Sequence, residues 1–186
     1  MRHFLTLALL AAFLAPLGAE DVRAIPLDMY LIVDGSSALQ NSKNDTIAWI
    51  NQQVVDRILA DGDRLTIWAA GDRAQVIYSD TVSAAGKAGI KEKLRALDTG
   101  GKTADFSGAL GEASSRLPGT ASDRLAVTML ITGSAENLEP ALAKNAQGLL
   151  RWFRSEKYER WQVLIVAPDL GKKVQQAGAA YMSALR

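Results

Sequence analysis

The sequence contains no cysteine, and its only histidine is His3, near the start of the chain. If processing removes the first residues, no histidine is left. Nucleophilic systems built on His or Cys are then excluded, and so are the usual zinc sites. Disulfides are excluded as well, so the hydrophobic core must supply the stability of the fold. Catalysis by carboxylates is chemically open, but no stretch of the sequence indicates it.

The chain opens with a short basic start and an apolar run. MRH is followed by FLTLALLAAFLAPL and the small residues of LGA, the pattern of a secretory signal peptide. We expect cleavage after Ala19, which gives a signal peptide over residues 1–19 and one domain over residues 20–186. An ordinary buried helix is the alternative interpretation. The run is short for a membrane span, so we expect none in the mature chain and a periplasmic or secreted location.

Charge is nearly balanced, with 21 Lys and Arg against 20 Asp and Glu. Loss of Arg2 with the signal peptide would make the mature chain formally neutral. A neutral chain argues against nucleic acid or an anionic membrane as its main partner. The 48% of hydrophobic and 22% of charged residues are typical of a packed core, and 186 residues suit a single domain.

Short apolar segments alternate with helical patterns. The predicted strands cover residues 27–33, 64–70, 74–81, 124–132 and 161–167, and the predicted helices cover 41–60, about 90–97, 105–116, 140–158 and 169 onward. The Gly71-Asp72 turn is too short for a crossover helix, so the strand at 74–81 should pair antiparallel at a sheet edge. The pattern predicts a doubly wound α/β fold, with a mainly parallel central sheet, one antiparallel edge strand and helices on both faces.

The helix over residues 41–60 has four apolar residues at helical spacing, namely Ile47, Ile50, Val54 and Ile58. We expect these side chains to face the core. Asn44 or Asp45 is the expected N-cap, and Asp61-Gly62 should end the helix.

Four motifs occur in a characteristic order. VDGSSA follows the first strand, DRLTIWAAGDRAQVIYSDT covers the second and third strands, LRALDTGGKTADFSGAL is a glycine-rich loop with its following helix, and VTMLITGSAEN ends another strand. In these motifs the sequence resembles von Willebrand factor type A domains of the exported bacterial type, which carry D-x-S-x-S, a loop threonine and T-D-G at these places. The resemblance covers nearly the whole mature chain.

The resemblance implies a binding site outside the carboxyl ends of the strands, where open α/β sheets place their ligands. In the family this metal-ion-dependent adhesion site, or MIDAS, holds one divalent ion, usually Mg²⁺. Carboxylate and hydroxyl oxygens bind the ion, as a hard cation requires. An acidic residue of a partner protein fills the open coordination position. The resemblance therefore implies an adhesion or assembly module rather than an enzyme.

Residue by residue, the match to this site is incomplete. Asp34 and Ser36 stand at the first aspartate and first serine, and Thr103 matches the loop threonine. Ala38 replaces the second serine, and Gly133 replaces the aspartate of T-D-G. The resemblance thus implies a degenerate site with Asp34, Ser36 and Thr103 as metal ligands. With a single carboxylate among them, Mg²⁺ should bind weakly or not at all.

Two nearby acids, Asp105 and Glu136, could substitute for the missing ligands. Asp105 is equally suited to be a helix N-cap or first-turn acid, and Glu136 to be a solvated acid. Asp34 has an alternative role too. It could accept hydrogen bonds from Ser36, Thr103 or loop N–H groups and organise the turn without an ion.

The function we expect is that of an exported protein-binding module, with metal dependence weak or lost and no other cofactor. The expected docking residues are Asp34, Ser36, Ser37, Thr103 and Ser134. An alternative is a structural subunit of a cell-envelope assembly that binds through a helix face or the edge strand at 74–81. The remote alternative, a carboxylate-dependent hydrolase, would need a cleft that holds two acids with raised pKa values.

Overall fold

The computed structural model of the chain describes residues 25–119, 121, 123–134 and 161–166. Its strands are β1 (Leu27–Asp34), β2 (Arg64–Ala70), β3 (Ala74–Thr81), β4 (Leu125–Ile131) and β5 (Trp161–Val166). Its α-helices are α1 (Lys43–Trp49), α2 (Lys87–Arg95) and α3 (Phe106–Arg116). The expected signal peptide, Glu136, and the helices predicted over 140–158 and from 169 onward lie outside the described residues.

The five strands form one sheet in the order β3-β2-β1-β4-β5. β1 pairs in parallel with β2 and β4, and β4 pairs in parallel with β5. β3 pairs antiparallel with β2, as the short turn between them requires. The predicted mainly parallel sheet with one antiparallel edge strand is confirmed.

The edge strand β3 is not regular. Ile67 pairs with Tyr78, whereas Trp68 pairs with Val76, so Ile77 is an extra residue without a counterpart on β2. This β-bulge bends the strand and changes which side chains face each side of the sheet.

Helices cover both faces of the sheet, as predicted. On one face, Leu31 and Val33 of β1 belong to a core cluster with α1 and α2 residues such as Ile47 and Leu94. On the other face, Ile32 packs in a cluster with residues of α3. Alternate residues of β1 therefore serve two cores, and all eight residues of the strand are buried. In the described ranges, no helix is both long and apolar enough to cross a membrane.

β1 also buries an acid that the apolar pattern concealed. Asp28 is only 3% exposed, and Arg124 Nε donates to its Oδ1 at 2.5 Å. Arg124 Nη2 also donates to the carbonyls of Leu27 and Gly62. The guanidinium compensates a carboxylate that would be costly to bury alone, and it ties the amino end of β1 to the start of β4.

The segment predicted as one helix over residues 41–60 consists of three parts. A 3-10 helix (Ser37–Ser42) leads into α1, and a π-helical segment (Ile50–Asp56) follows it. The predicted N-cap at Asn44 or Asp45 is wrong. Ser36 instead begins the first turn, since its side chain accepts from the Ala38 N–H, and α1 starts without a side-chain cap.

The π-helical segment changes which side chains reach the core. Leu59 N donates to Val54 O at 2.9 Å, a bond that spans five residues rather than four. Val54 and its neighbour Val55 are both fully buried, while Ile58 is only partly buried. The segment ends at Asp56, earlier than the predicted helix end at Asp61-Gly62. Gly62 has a φ of 88°, which suits a turn at that position.

Candidate functional site

The loops at the carboxyl ends of the strands are joined by backbone hydrogen bonds. Gly35 N donates to Ala70 O at 2.8 Å, and Gly101 N donates to Gly35 O at 3.1 Å. Ser37 N donates in turn to Gly101 O at 2.9 Å. A Cβ on Gly101 would lie 2.9 Å from Gly35 O, so only glycine permits this approach. The loop after β1 and the glycine-rich loop thus form one connected surface.

Asp34 lies beneath this surface and is fully buried. Its Oδ1 accepts from Ser36 N at 2.8 Å. Its Oδ2 accepts from Thr132 Oγ1 at 2.8 Å and from Gly133 N at 3.1 Å. Two of these donors, Ser36 N and a loop N–H, are of the kinds expected for Asp34 as an organiser of the turn. The side-chain donor Thr132 was not foreseen.

Ala38 and Gly133, the two positions where the metal-site pattern is broken, touch each other. A Cβ on Gly133 would lie 2.3 Å from Ala38 O and 2.7 Å from Leu39 N. Backbone atoms cannot yield at such distances without movement of the whole loop. An aspartate at position 133 therefore has no room in this arrangement.

Thr103 belongs to a separate cluster around Asp72, a residue that sequence reasoning missed. Asp72 Oδ1 accepts from Lys102 N at 2.8 Å, from Thr103 N at 2.9 Å and from Thr103 Oγ1 at 3.2 Å. The hydrogen bond from the Thr103 N–H is the main cause that lowers the pKa of Asp72 below its usual 3.8. The one available signal was the place of Asp72 in the turn that follows β2, at the same end of the sheet.

Asp105 has the role of a helix cap. Its Oδ1 accepts from Gly108 N at 2.8 Å, which confirms the predicted N-cap of α3. Its Oδ2 accepts from Ala74 N at 3.2 Å and so ties α3 to the start of β3. Both oxygens of this carboxylate are thus engaged within the fold.

The remaining expected docking residues fall into two groups. Ser36 is buried, and its hydroxyl accepts from Ala38 N at 3.4 Å. Ser134 is half-buried, and its N–H donates to Thr132 Oγ1 at 3.2 Å. Ser37 is exposed at the surface of the loop. Asp34, Ser36 and Ser134 are therefore parts of one network, and Ser37 is accessible above it.

A cavity of about 390 Å³ opens beside this network, towards the edge strand. The backbones of Gly35, Gly71 and Gly101 line it, together with the side chains of Asp72 and Asp98. Asp98 Oδ1 accepts from Gly100 N at 2.9 Å, which fixes the start of the glycine-rich loop. The carboxyl end of the sheet is therefore a recessed surface with polar walls.

This arrangement does not fit a divalent metal ion at Asp34. The ion would need several oxygen ligands, but the Asp34 oxygens already accept three hydrogen bonds. The Thr103 hydroxyl points to Asp72, and Gly133 leaves no space for a second carboxylate. Among the described residues, no group of three or more His, Cys, Asp or Glu side chains could hold a metal.

No family model matches the sequence, and no curated protein matches it either. Solved structures do match. Proximal thread matrix protein 1 from the mussel byssus gives a TM-score of 0.56 at 14% identity, over 77% of this chain and 37% of that one. A structure of the same mussel protein with a zinc-occupied MIDAS motif gives 0.53 at 19% identity, over 76% and 35%.

A bacterial structure matches as well. The von Willebrand factor type A structure from Catenulispora acidiphila gives a TM-score of 0.53 at 16% identity, over 77% of this chain and 33% of that one. The chain thus spans about a third of each of these three solved chains. At sequence identities this low, the similarity shows that the backbone fold is shared and gives no information about a ligand. The resemblance seen in the four motifs is confirmed at this level, and the chain has the fold of a von Willebrand factor type A domain.

Proposed function

We propose that this protein is a binding module that docks a partner protein at the carboxyl ends of its strands, without a bridging metal ion. The fold supports the location, because open α/β sheets present their ligand sites at this end. The observation that carries the proposal is the hydrogen-bonded network at Asp34, which holds the loops after β1 and β4 in one arrangement. A preorganised surface loses little entropy when a partner binds.

The expected docking residues have different parts in this proposal. Asp34 and Ser36 are buried, so they position the loops and do not touch the partner. Ser37 and Thr103 are exposed on the two joined loops and can contact it directly. Ser134 has an intermediate exposure, since it is half-buried, and its carbonyl accepts from the Thr132 hydroxyl.

We expect partner binding to be independent of metal because of the ligand atoms that the site offers. In the implied family site, the ion bridges the domain to an acid of the partner. Here the residues do not fit such an ion, so contact must come from direct hydrogen bonds and ion pairs. Asp72 supports this view because its carboxylate is exposed at the rim and is charged at neutral pH, since its pKa lies below the usual 3.8.

The proposal includes no enzymatic activity. The acid at the centre of the site is buried beneath three hydrogen bonds and cannot reach a substrate. Export to the periplasm or the secreted space is part of the same proposal and is supported by the signal-peptide pattern of residues 1–19.

Site-specific photo-crosslinking in the producing cell tests the proposal. A photoreactive amino acid is placed at Ser37, at Thr103 and, as a control, at exposed Asp61 before the amino end of β2. We expect protein crosslinks from the first two positions and none from the third, with the same yield in EDTA and in excess MgCl₂. Crosslinks from Asp61 alone would contradict the docking site, and loss of crosslinks in EDTA would contradict metal independence.

A further inference from the structure

We infer that the hydrogen bonds of Asp34 hold the loop after β1 and the segment after β4 together permanently, in place of a metal ion. We call this network the latch. Gly133 is the positioning residue that allows the latch to form. The latch consists of the Asp34 carboxylate, the Ser36 N–H, the Thr132 hydroxyl and the Gly133 N–H. This inference goes beyond the proposed docking function, because it concerns the protein without a partner.

The carboxylate provides the strength of the latch. Asp34 is fully buried, and a buried charge is tolerated only when hydrogen bonds replace its hydration. Hydrogen bonds to an ionised acceptor are about twice as strong as those between neutral groups. One side chain at the end of β1 can therefore hold donors from both its own loop and the segment after β4.

The Thr132 hydroxyl extends the latch along the chain. Its Oγ1 lies 2.8 Å from Asp34 Oδ2 and 2.8 Å from Ser134 O, so it donates to both acceptors in a shared bond. The same oxygen accepts from Ser134 N at 3.2 Å. A single hydroxyl thus fixes Ser134 relative to β1.

Gly133 determines whether these donors can reach the carboxylate. Its N–H donates to Asp34 Oδ2 while its Cα faces the backbone of the first loop. A side chain there would have its Cβ 2.3 Å from Ala38 O and would push the loops apart. The glycine is therefore a requirement of the closed latch as well as a missing metal ligand.

It follows that the two broken ligand positions cannot be repaired independently of the fold. The double substitution Ala38→Ser with Gly133→Asp restores the family pattern in the sequence. In this chain it inserts a side chain where Ala38 O stands, so it should open the latch and create no ion site.

Thermal unfolding of the mature chain, in EDTA and in excess MgCl₂, tests the inference. The wild type should melt at the same temperature in both. Asp34→Asn, which leaves one amide oxygen for three donors, should melt about 5 °C or more lower in both. Gly133→Ala should show a similar loss. The matched control is Gly111→Ala in α3, where a Cβ meets nothing within 4 Å, and it should melt at or above the wild-type temperature.

Amide hydrogen exchange separates the latch from a general loss of stability. In Asp34→Asn, the Ser36 and Gly133 amides should lose protection far more than the amides between β1 and β2. Both measurements are made without a partner, so a failure of the latch is read separately from a failure of docking, which the crosslinking experiment reports. Stabilisation of the wild type or of the Ala38→Ser/Gly133→Asp variant by Mg²⁺ would overturn the inference. So would equal melting of Gly133→Ala and Gly111→Ala, or uniform exchange in Asp34→Asn.

Discussion

Strand β1 buries an aspartate near each end, and the two carboxylates are compensated in different ways. At the amino end, Asp28 faces the guanidinium of Arg124, which is itself only 11% exposed. At the carboxyl end, Asp34 accepts from two backbone N–H groups and one hydroxyl, all of them neutral. Among these contacts, the first end is held by an ion pair and the second by the dipoles of neutral donors. An ion pair depends on one partner, whereas the dipoles depend on the exact path of two loops.

The largest effect is expected at the ion pair. Asp28→Asn leaves the Arg124 guanidinium buried without its counter-charge, and breaking a buried pair in this way costs about 3–5 kcal/mol. Urea denaturation should show this loss in the free energy of unfolding. The effect should exceed that of any single substitution of a neutral donor at the Asp34 end.

A second arginine near the same carboxylate supplies the control. Arg64 Nη1 lies 3.9 Å from Asp28 Oδ2, but its side chain is 57% exposed. Arg64→Met should therefore cost no more than about 1 kcal/mol, as exposed ion pairs do. Equal losses from Asp28→Asn and Arg64→Met would show that burial does not distinguish the two arginines.

An intermediate effect is expected at the carboxyl end. Thr132→Val keeps the shape of the side chain but removes the hydroxyl that donates to Asp34, at a cost of about 1–2 kcal/mol. Thr66→Val is the matched control, because the Thr66 hydroxyl is hydrogen-bonded to the neutral Ser79 hydroxyl at 3.1 Å. Urea denaturation should rank Thr132→Val as the more damaging change. The reverse order would contradict a charged acceptor at Asp34.

The smallest effect concerns the exposed rim. Hydrogen bonds from Thr103 and Lys102 lower the pKa of Asp72 in the folded protein. The stability that these bonds contribute is therefore present above pH 3.8 and is lost as the pH falls through the lower folded value. An NMR titration of the Asp72 carboxyl carbon should have its midpoint below 3.8, and Thr103→Val should move it upward. A wild-type midpoint at or above 3.8 would contradict the arrangement at Asp72.

The same comparison shows how far the sequence predicts the structure. The strands, the antiparallel pairing of β3 and the place of Asp34 follow from apolar runs, a short turn and four motifs, because each is a local pattern. The Thr132 donor to Asp34 does not follow, since Thr132 is 98 residues away and its direction depends on how its loop packs. Family spacing placed Thr103 near Asp34, but the turn after β2 supplied a better acceptor in Asp72.

Asp28 was missed for a related reason. A single acid in an apolar run barely alters the pattern, and its partner Arg124 lies 96 residues away. The signal that could have found it is physical, since an acid in a central strand requires a counter-charge nearby. The helix after β1 shows the limit of periodicity. A 3.6-residue spacing fits Ile47 and Val54, but it cannot reveal the wider π-helical turn that also buries Val55.

The bulge at Ile77 has a consequence for the protein at high concentration. An open sheet can grow into a polymer when its outer strand offers a regular row of amide and carbonyl groups to another chain. On β3 that row is broken at Ile77, so an incoming strand can match hydrogen bonds on only one side of the bulge. This geometry disfavours assembly through the edge strand. It also protects the folded protein from edge-to-edge aggregation at this side of the sheet.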